Sequence, residues 1–580
     1  MRLHKTLSIK DLFVLILFVL ITTIFFIKTE HLENQGFSPT DDGVILAQSW
    51  RIINGEIAHK DFISIRPAGS GILHSIHFYS PLPLMISARW FVLFQFVIIS
   101  FVISLITKYL YEKEYGKKLN ILFFLSLFMV CFSLSSLNYN VYPWTTIDAV
   151  FWIVLAMPFI LLKSRSLWVI AGLLFVSFAA LSRQNFAILS LIAFIYVFYK
   201  NINNPVKAVF ICLTGAIPFF LYLIMLIKHG AVDLFIGQIT GQTELLETGL
   251  IQYIKRFILS YTGALNLICL FICGLLYFKK QSLLKQIFIE KGFHSVVSVI
   301  YAFIALIHIV RYFLLDYADI FVMPFELFFM LGVISLLNFV VTGKFTLIHF
   351  YVIIVLFISW VSSISLGANT PVFATGLLIS AFILIIADFQ LRYPVKLSKI
   401  LQSRIIIICI SLIIFVLTVY SQRQVNYRDL GHKKITEGLD YVSEEFGKIR
   451  TNPRTLAYYS DLADIYNSLP DSKNNTVVIP NNAVFYPIMK IRNPAVLDWI
   501  QPEEYSGQEK RLFEEIDYLI SNNEITYFIL DKVDSKRLHE GSFPVFYNES
   551  HITHTIIANC KEIKVNSDFF MVFKTKKSNF

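Results

Sequence analysis

Thr40-Asp41-Asp42-Gly43, continued by Trp50-Arg51-Ile52-Ile53-Asn54-Gly55-Glu56, by His59-Lys60-Asp61-Phe62 and by Arg66-Pro67-Ala68-Gly69, is the stretch on which the reading of this chain turns. It lies between the first two long apolar segments and forms the longest polar interval before residue 420. It carries paired acids, a lysine–aspartate pair and an arginine ahead of a proline turn. Ionisable groups kept at a membrane face are costly, and for that reason usually functional.

Outward from that stretch the chain is mostly hydrocarbon. Of its 580 residues 56% are hydrophobic and 16% aromatic, and the mean hydropathy is +0.64. Only 16% are charged, against roughly a quarter in a soluble domain. Repeated membrane spans need such a composition; soluble cores do not. At roughly 17–25 residues per span the pattern predicts about thirteen spans. They fall near 11–27, 86–110, 119–137, 145–162, 167–182, 184–199, 207–227, 258–278, 294–311, 320–341, 345–364, 371–388 and 403–421. The run Leu12–Ile27 is followed by Lys28-Thr29-Glu30-His31 rather than by a small-residue cleavage pattern, and is read as a retained span.

The net charge of +10 sits in short Lys/Arg clusters between apolar runs, as in cytoplasmic loops, which argues against a nucleic-acid partner. Placing Arg2, Lys5 and Lys10 inside collects Lys113, Lys117, Lys118, Lys163, Arg165, Lys200, Lys279 and Lys280 on the same side. An odd number of spans then puts the loop 28–85 and the C-terminal tail outside. Five cysteines lie in apolar runs and Cys560 stands alone in the tail, so the tail forms no internal disulfide.

Within the loop, Thr40 is a plausible N-cap, with Asp41 and Asp42 in a first helical turn. Val44 to Ile53 suits an interfacial helix ended by Asn54-Gly55, and Ile72 to Tyr79 a second one. From residue 422 the composition becomes polar. Strand-like runs at Thr476–Ile479, Ile525–Leu530 and Phe569–Phe573, with a helix over Pro502–Asn522, predict a small α/β domain of about 155 residues. The expected architecture is a polytopic α-helical membrane domain, 1–421, followed by an extracytoplasmic α/β domain, 422–580.

Several residues invite a chemical reading beside a structural one. Asp41 and Asp42 suit a general base with its neighbour, or helix capping alone. Arg66 and Lys60 suit phosphate ligands at headgroup depth, or snorkelling side chains. Arg183, in Leu181-Ser182-Arg183-Gln184-Asn185, is an arginine on the outer side, either a phosphate ligand or a link to a helix C-terminus. Asp148 lies just inside a span, as a second site carboxylate or a partner for Arg66. Asp316, Asp319 and Glu326 form a looser acidic group. His74 and His77 have metal-compatible spacing, but two ligands without a third favour packing. No P-loop, GxGxxG, GxSxG, HExxH or paired CxxC occurs.

The order Asp-Asp-Gly, Trp-Arg-Ile-Ile-Asn-Gly-Glu, His-Lys-Asp-Phe and Arg-Pro-Ala-Gly after a first span resembles the GT-C superfamily of integral-membrane glycosyltransferases. It is most similar to the branch of the aminoarabinose transferase and the protein O-mannosyltransferases. Leu181–Asn185 resembles that family's Thr-Lys/Arg-Gln element, and Phe485–Pro494 with Tyr527–Asp531 resembles the outer domain of bacterial relatives. The resemblance implies Asp41 as catalytic base with Asp42 beside it, and Arg66 in place of the lysine that holds the carrier phosphate. Here arginine replaces that lysine and Ala68 replaces a proline of the same turn.

It further implies a polyprenyl-phosphate-linked sugar donor, a glycan, lipid or protein acceptor, and inverting transfer at the outer face of a bacterial inner membrane. Some members use a divalent cation, for which this sequence offers no clear ligand set. A polysaccharide or lipid transporter, or a non-catalytic scaffold, are the alternatives; the first would need charges deep in several spans, and apart from Asp148 the spans are nearly charge-free.

Overall fold

The computed structural model describes residues 32–119, 121–136, 141–162, 165–241, 243–278, 293–314, 319–364, 370–392, 417, 427–470, 475–522, 524–545 and 551–576. The predicted span 11–27, all of 403–421 but residue 417, and Asp316 lie outside these residues.

Among the described residues three helices are long and apolar enough to cross a membrane: Leu84–Tyr115, Val322–Thr342 and Val372–Phe389. Two more spans result if each bent pair counts as one: Pro205–Gly215 with Ile217–Lys228, bent by 55°, and Gly249–Leu259 with Gly263–Tyr277, bent by 93°. The other predicted spans in this region are helices of 10–17 residues, such as Thr145–Leu161 and Ser166–Ser182. At 1.5 Å per residue these fall short of a hydrocarbon layer about 30 Å thick, which is why hydropathy alone counts more spans than helix length does.

The first bend follows from Pro218, which has no N–H to continue the ladder into Pro205–Gly215. On Leu84–Tyr115, Trp90, Phe94, Val97, Phe101 and Leu105 form an exposed apolar stripe. Arg89, Val92, Ile99 and Ile103 are buried. An apolar outer stripe over an inner face that carries the polar groups is the arrangement a lipid surroundings demands.

The chain divides into two compact units. In the first, built on Phe96–Asn138 and Leu245–Gln422, the helices Ile121–Ser136, Asp319–Thr342, Leu347–Ser363 and Thr375–Arg392 pack together. A Cβ on Gly376 would stand 2.9 Å from the Cys131 carbonyl, so glycine sets the close approach of two of them. Asp388 accepts from Asn338 at 2.7 Å and from Tyr115. Glu326, considered above as a site acid, instead accepts from the backbone N–H of Tyr261 (2.8 Å) and Thr262 (3.3 Å), capping the sharp break before Gly263.

The second unit comprises Glu33–Gln95, Tyr139–Glu244 and Arg423–Phe580. Its sheet has strands β1 (Thr476–Ile479), β2 (Tyr527–Asp531), β3 (Cys560–Ile563) and β4 (Phe570–Thr575), in the order β1-β2-β4-β3. β1 and β2 are parallel, with Thr476 opposite Tyr527, and the other pairs are antiparallel. Alternate side chains serve two cores. Val478, Tyr527, Ile529, Phe570 and Val572 pack with the helix Pro453–Ser468 through Tyr458 and Leu462. Val477, Phe528, Leu530 and Phe573 pack with Leu512, Ile516, Leu519 and Ile520 of the helix Glu509–Ser521. The spacing of those four is that of one helical face, and Tyr518 on another face is exposed. β3, which follows the helix His551–Asn559, was not anticipated, because the exposed Lys561 and Glu562 break its apolar alternation.

Candidate active site

Asp41, Asp42, Lys60, Arg66, Asp148 and Arg183 belong to the second unit, and the looser acids Asp319 and Glu326 to the first. The expected cap at Thr40 is not formed. The helix Val44–Ile53 begins after Gly43, whose φ of 97° suits glycine, and a Cβ there would collide with Val484. Asp41 and Asp42 therefore sit in the turn before the helix, and the helix is buried rather than interfacial.

The two acids part ways. Asp42 Oδ2 accepts from Arg89 at 2.7 Å and from the Ser38 N–H at 3.2 Å, and both side chains of the ion pair are fully buried. Arg89 also donates to the carbonyls of Glu33 and Gly36, each at 2.8 Å. Burial raises the Asp42 carboxyl, with Arg89 opposing. Asp41 Oδ2 forms an ion pair with Arg428 Nη1 at 2.8 Å and accepts from Ser38 Oγ at 3.5 Å. Arg428, itself in a left-handed conformation with φ 53°, also donates to the Thr40 hydroxyl. Asp41 Oδ1 takes no hydrogen bond among the described residues.

Arg66 and Arg183 come together because the turn between them is tightly seated. A Cβ on Gly69 would lie within 3 Å of the Leu181 and Ser182 backbone. Gln184 Nε2 donates to the Ile65 carbonyl at 2.9 Å. The Arg66 guanidinium stands over the Trp144 ring, 5.8 Å from its centroid, and Arg183 Nη1 donates to Thr145 and Thr146 at the start of the helix Thr145–Leu161. Arg66 Nη1 and Nη2 grip the two oxygens of Glu504 at 2.9 and 2.8 Å. Burial, and then the Arg66 charge, push the Arg183 cation down, while Glu504 supports it. This is a buried anion position, at present held by a carboxylate of the chain itself.

Asp148 is not Arg66's partner. It accepts from Gln95 Nε2 at 2.8 Å and lies 3.1 Å from His74 Nε2, while His74 Nδ1 meets His77 Nε2 at 3.0 Å and His77 Nδ1 meets Ser87 Oγ at 3.0 Å. Burial and the neighbouring His74 pull His77 down to about 3. The two histidines form a closed hydrogen-bonded chain. Lys60 is exposed and lines a separate polar cavity of about 750 Å³ with Trp50, Arg492, Arg511 and Glu515, which neither Arg66 nor Arg183 lines. Among the described residues no three His, Cys, Asp or Glu side chains converge to hold a metal, and the carboxylates at 41 and 42 face guanidinium groups instead.

Asp41 and Arg66 are not paired with each other. Val44 and Ala47, at the start of the helix behind Asp41, pack in one cluster with Trp499 and with Trp144, the residue under Arg66. Reasoning from sequence missed Arg89, Arg428 and Glu504. A lone arginine in the apolar run of Leu84–Tyr115 was a readable signal for Arg89. The other two had none, since Glu504 lies 438 residues from its partner.

No protein-family model and no curated protein matches the sequence. Solved structures do match. ArnT from Cupriavidus metallidurans in the apo state aligns over 96% of this chain and 97% of its own, at 9% identity and a TM-score of 0.37. The same protein bound to undecaprenyl phosphate aligns over 97% and 98%, at 9% identity and a TM-score of 0.36. What the residues of this chain do rests on their own geometry.

Proposed function

We propose that the chain transfers a sugar from a polyprenyl phosphate to an acceptor hydroxyl at the outer face of the membrane, as a GT-C glycosyltransferase. The observation that carries this reading is the buried anion position at Arg66 and Arg183, built from two of the segments on which the family resemblance rests.

The donor phosphate lies against Arg66 and Arg183. The acceptor hydroxyl attacks the anomeric carbon, the bond from that carbon to the phosphate oxygen breaks, and the electron pair passes to the phosphate. The proton goes to Asp41, whose Oδ1 is the oxygen not engaged by Arg428. Two guanidinium groups stabilise the charge that grows on the leaving phosphate, so that group needs no acid to protonate it. A single displacement inverts the anomeric centre. Asp42 and Arg89 hold the turn that carries Asp41, Trp144 orients Arg66, and Asp148 is a structural acid rather than a second catalyst.

The test compares envelope glycans and lipids of cells with and without the gene, then complements with Asp41→Asn. Loss of one sugar modification, restored by wild type and lowered by about 10²–10⁴ in rate in Asp41→Asn, is expected for removal of a general base. An active Asp41→Asn enzyme contradicts the assignment.

A further inference from the structure

We propose that Glu504 is a displaceable occupant of the anion position, and that a polyprenyl carrier phosphate binds by exchanging with it; this rests on the functional reading above. A carboxylate held through both its oxygens by one guanidinium presents the same fork-to-fork geometry that two phosphate oxygens would. Glu504 brings one negative charge to a place flanked by two guanidinium groups, whereas a phosphomonoester brings close to two at neutral pH. The carrier left after sugar transfer is a monoester. The intact donor, a diester, carries a single charge.

The position of Glu504 in the fold suits exchange. It ends a one-turn 3-10 helix, Pro502–Glu504, in the connection between the anchored Trp499 and Gln501, which bond Asn481, and the helix Glu509–Ser521. Gly507, with φ 75°, lies in the same connection. The strand pairing of the sheet lies outside this connection, and the one-turn helix that carries Glu504 ends before Tyr505, which packs against the second core and Phe513, so moving Pro502–Glu504 leaves the pairing and that contact intact. Glu504 would thus lower resting occupancy of the site by competing with the carrier phosphate for Arg66.

Purified full-length wild type, Arg66→Ala, Glu504→Gln and Glu504→Asp are titrated with undecaprenyl phosphate and, separately, with inorganic phosphate. Binding is followed by the fluorescence of Trp144 and its neighbours, and stability by thermal melting. Glu504→Gln should bind the lipid about tenfold or more tightly than wild type, and Arg66→Ala about tenfold or more weakly. Glu504→Asp, which retracts the carboxylate by one methylene, should fall between wild type and Glu504→Gln. If Arg66→Ala binds the lipid as wild type does, the headgroup is not held at Arg66, and the functional reading fails with the proposal. If Arg66→Ala is weakened but neither Glu504 variant gains, displacement is overturned and the carrier reading stands. A gain for inorganic phosphate without one for the lipid also overturns it. Should Glu504→Gln melt far below wild type, Glu504→Asp decides by itself.

Discussion

At the scale of single residues, the adjacent acids at 41 and 42 do different work because their cations come from different places. Arg89 reaches Asp42 from the buried face of a long apolar helix, and both are shut away from solvent. Removing one partner of such a pair strands the other charge, which commonly costs about 3–5 kcal/mol. Asp42→Ala should therefore lower the thermal stability of the purified protein by about 3 kcal/mol, the remaining carbonyl contacts of Arg89 sparing the rest. Asp41→Asn, whose partner Arg428 is partly exposed, should melt close to wild type. Equal melting of Asp42→Ala and wild type would show that Arg89 finds other compensation.

Among the elements, the turn ending at Gly69 and the loop Leu181–Arg183 act as one unit. The atoms that a Cβ at residue 69 would meet are backbone, which cannot swing aside. Gly69→Ala should push the turn away from Arg183, at about 1–3 kcal/mol of overpacking, and weaken undecaprenyl phosphate binding along with stability. Binding unchanged in a destabilised Gly69→Ala would separate the turn from the anion position. In the C-terminal sheet, burial pushes Asp531 at the end of β2 up to about 8, against hydrogen bonds from Tyr458 and Asn482. A carboxyl raised in the folded state favours folding fully below its unfolded value near 4, and that contribution is lost as pH rises toward about 8. Thermal melting of wild type should thus fall relative to Asp531→Asn between those limits and run parallel outside them. A constant gap across the window would show that Asp531 does not titrate there.

For the whole molecule, the sidedness inferred from the Lys/Arg loops can be read chemically. Tyr441 is 85% exposed, while Cys131, Cys269, Cys273 and Cys560 are buried and Cys212 partly so. Tyr441→Cys should react with a membrane-impermeant maleimide in right-side-out vesicles without permeabilisation; labelling only after lysis would turn the chain over and end the proposed function. The apolar composition, the helices around Thr145–Leu161, the termination at Asn54-Gly55 and strands β1, β2 and β4 were legible beforehand, because each is governed by neighbours within a turn or a strand. Span number was less so, since hydropathy adds up over a bent or short helix as readily as over a straight one. What the sequence by itself determined is that this is a membrane chain with ionisable groups concentrated in one polar loop and a small α/β tail. Only tertiary structure decided who meets whom. Arg428 closes on Asp41, Glu504 closes on Arg66, and Asp148 turns to His74 and Gln95. A buried charge must find its opposite wherever packing brings one, and no local pattern of residues records a partner hundreds of positions away.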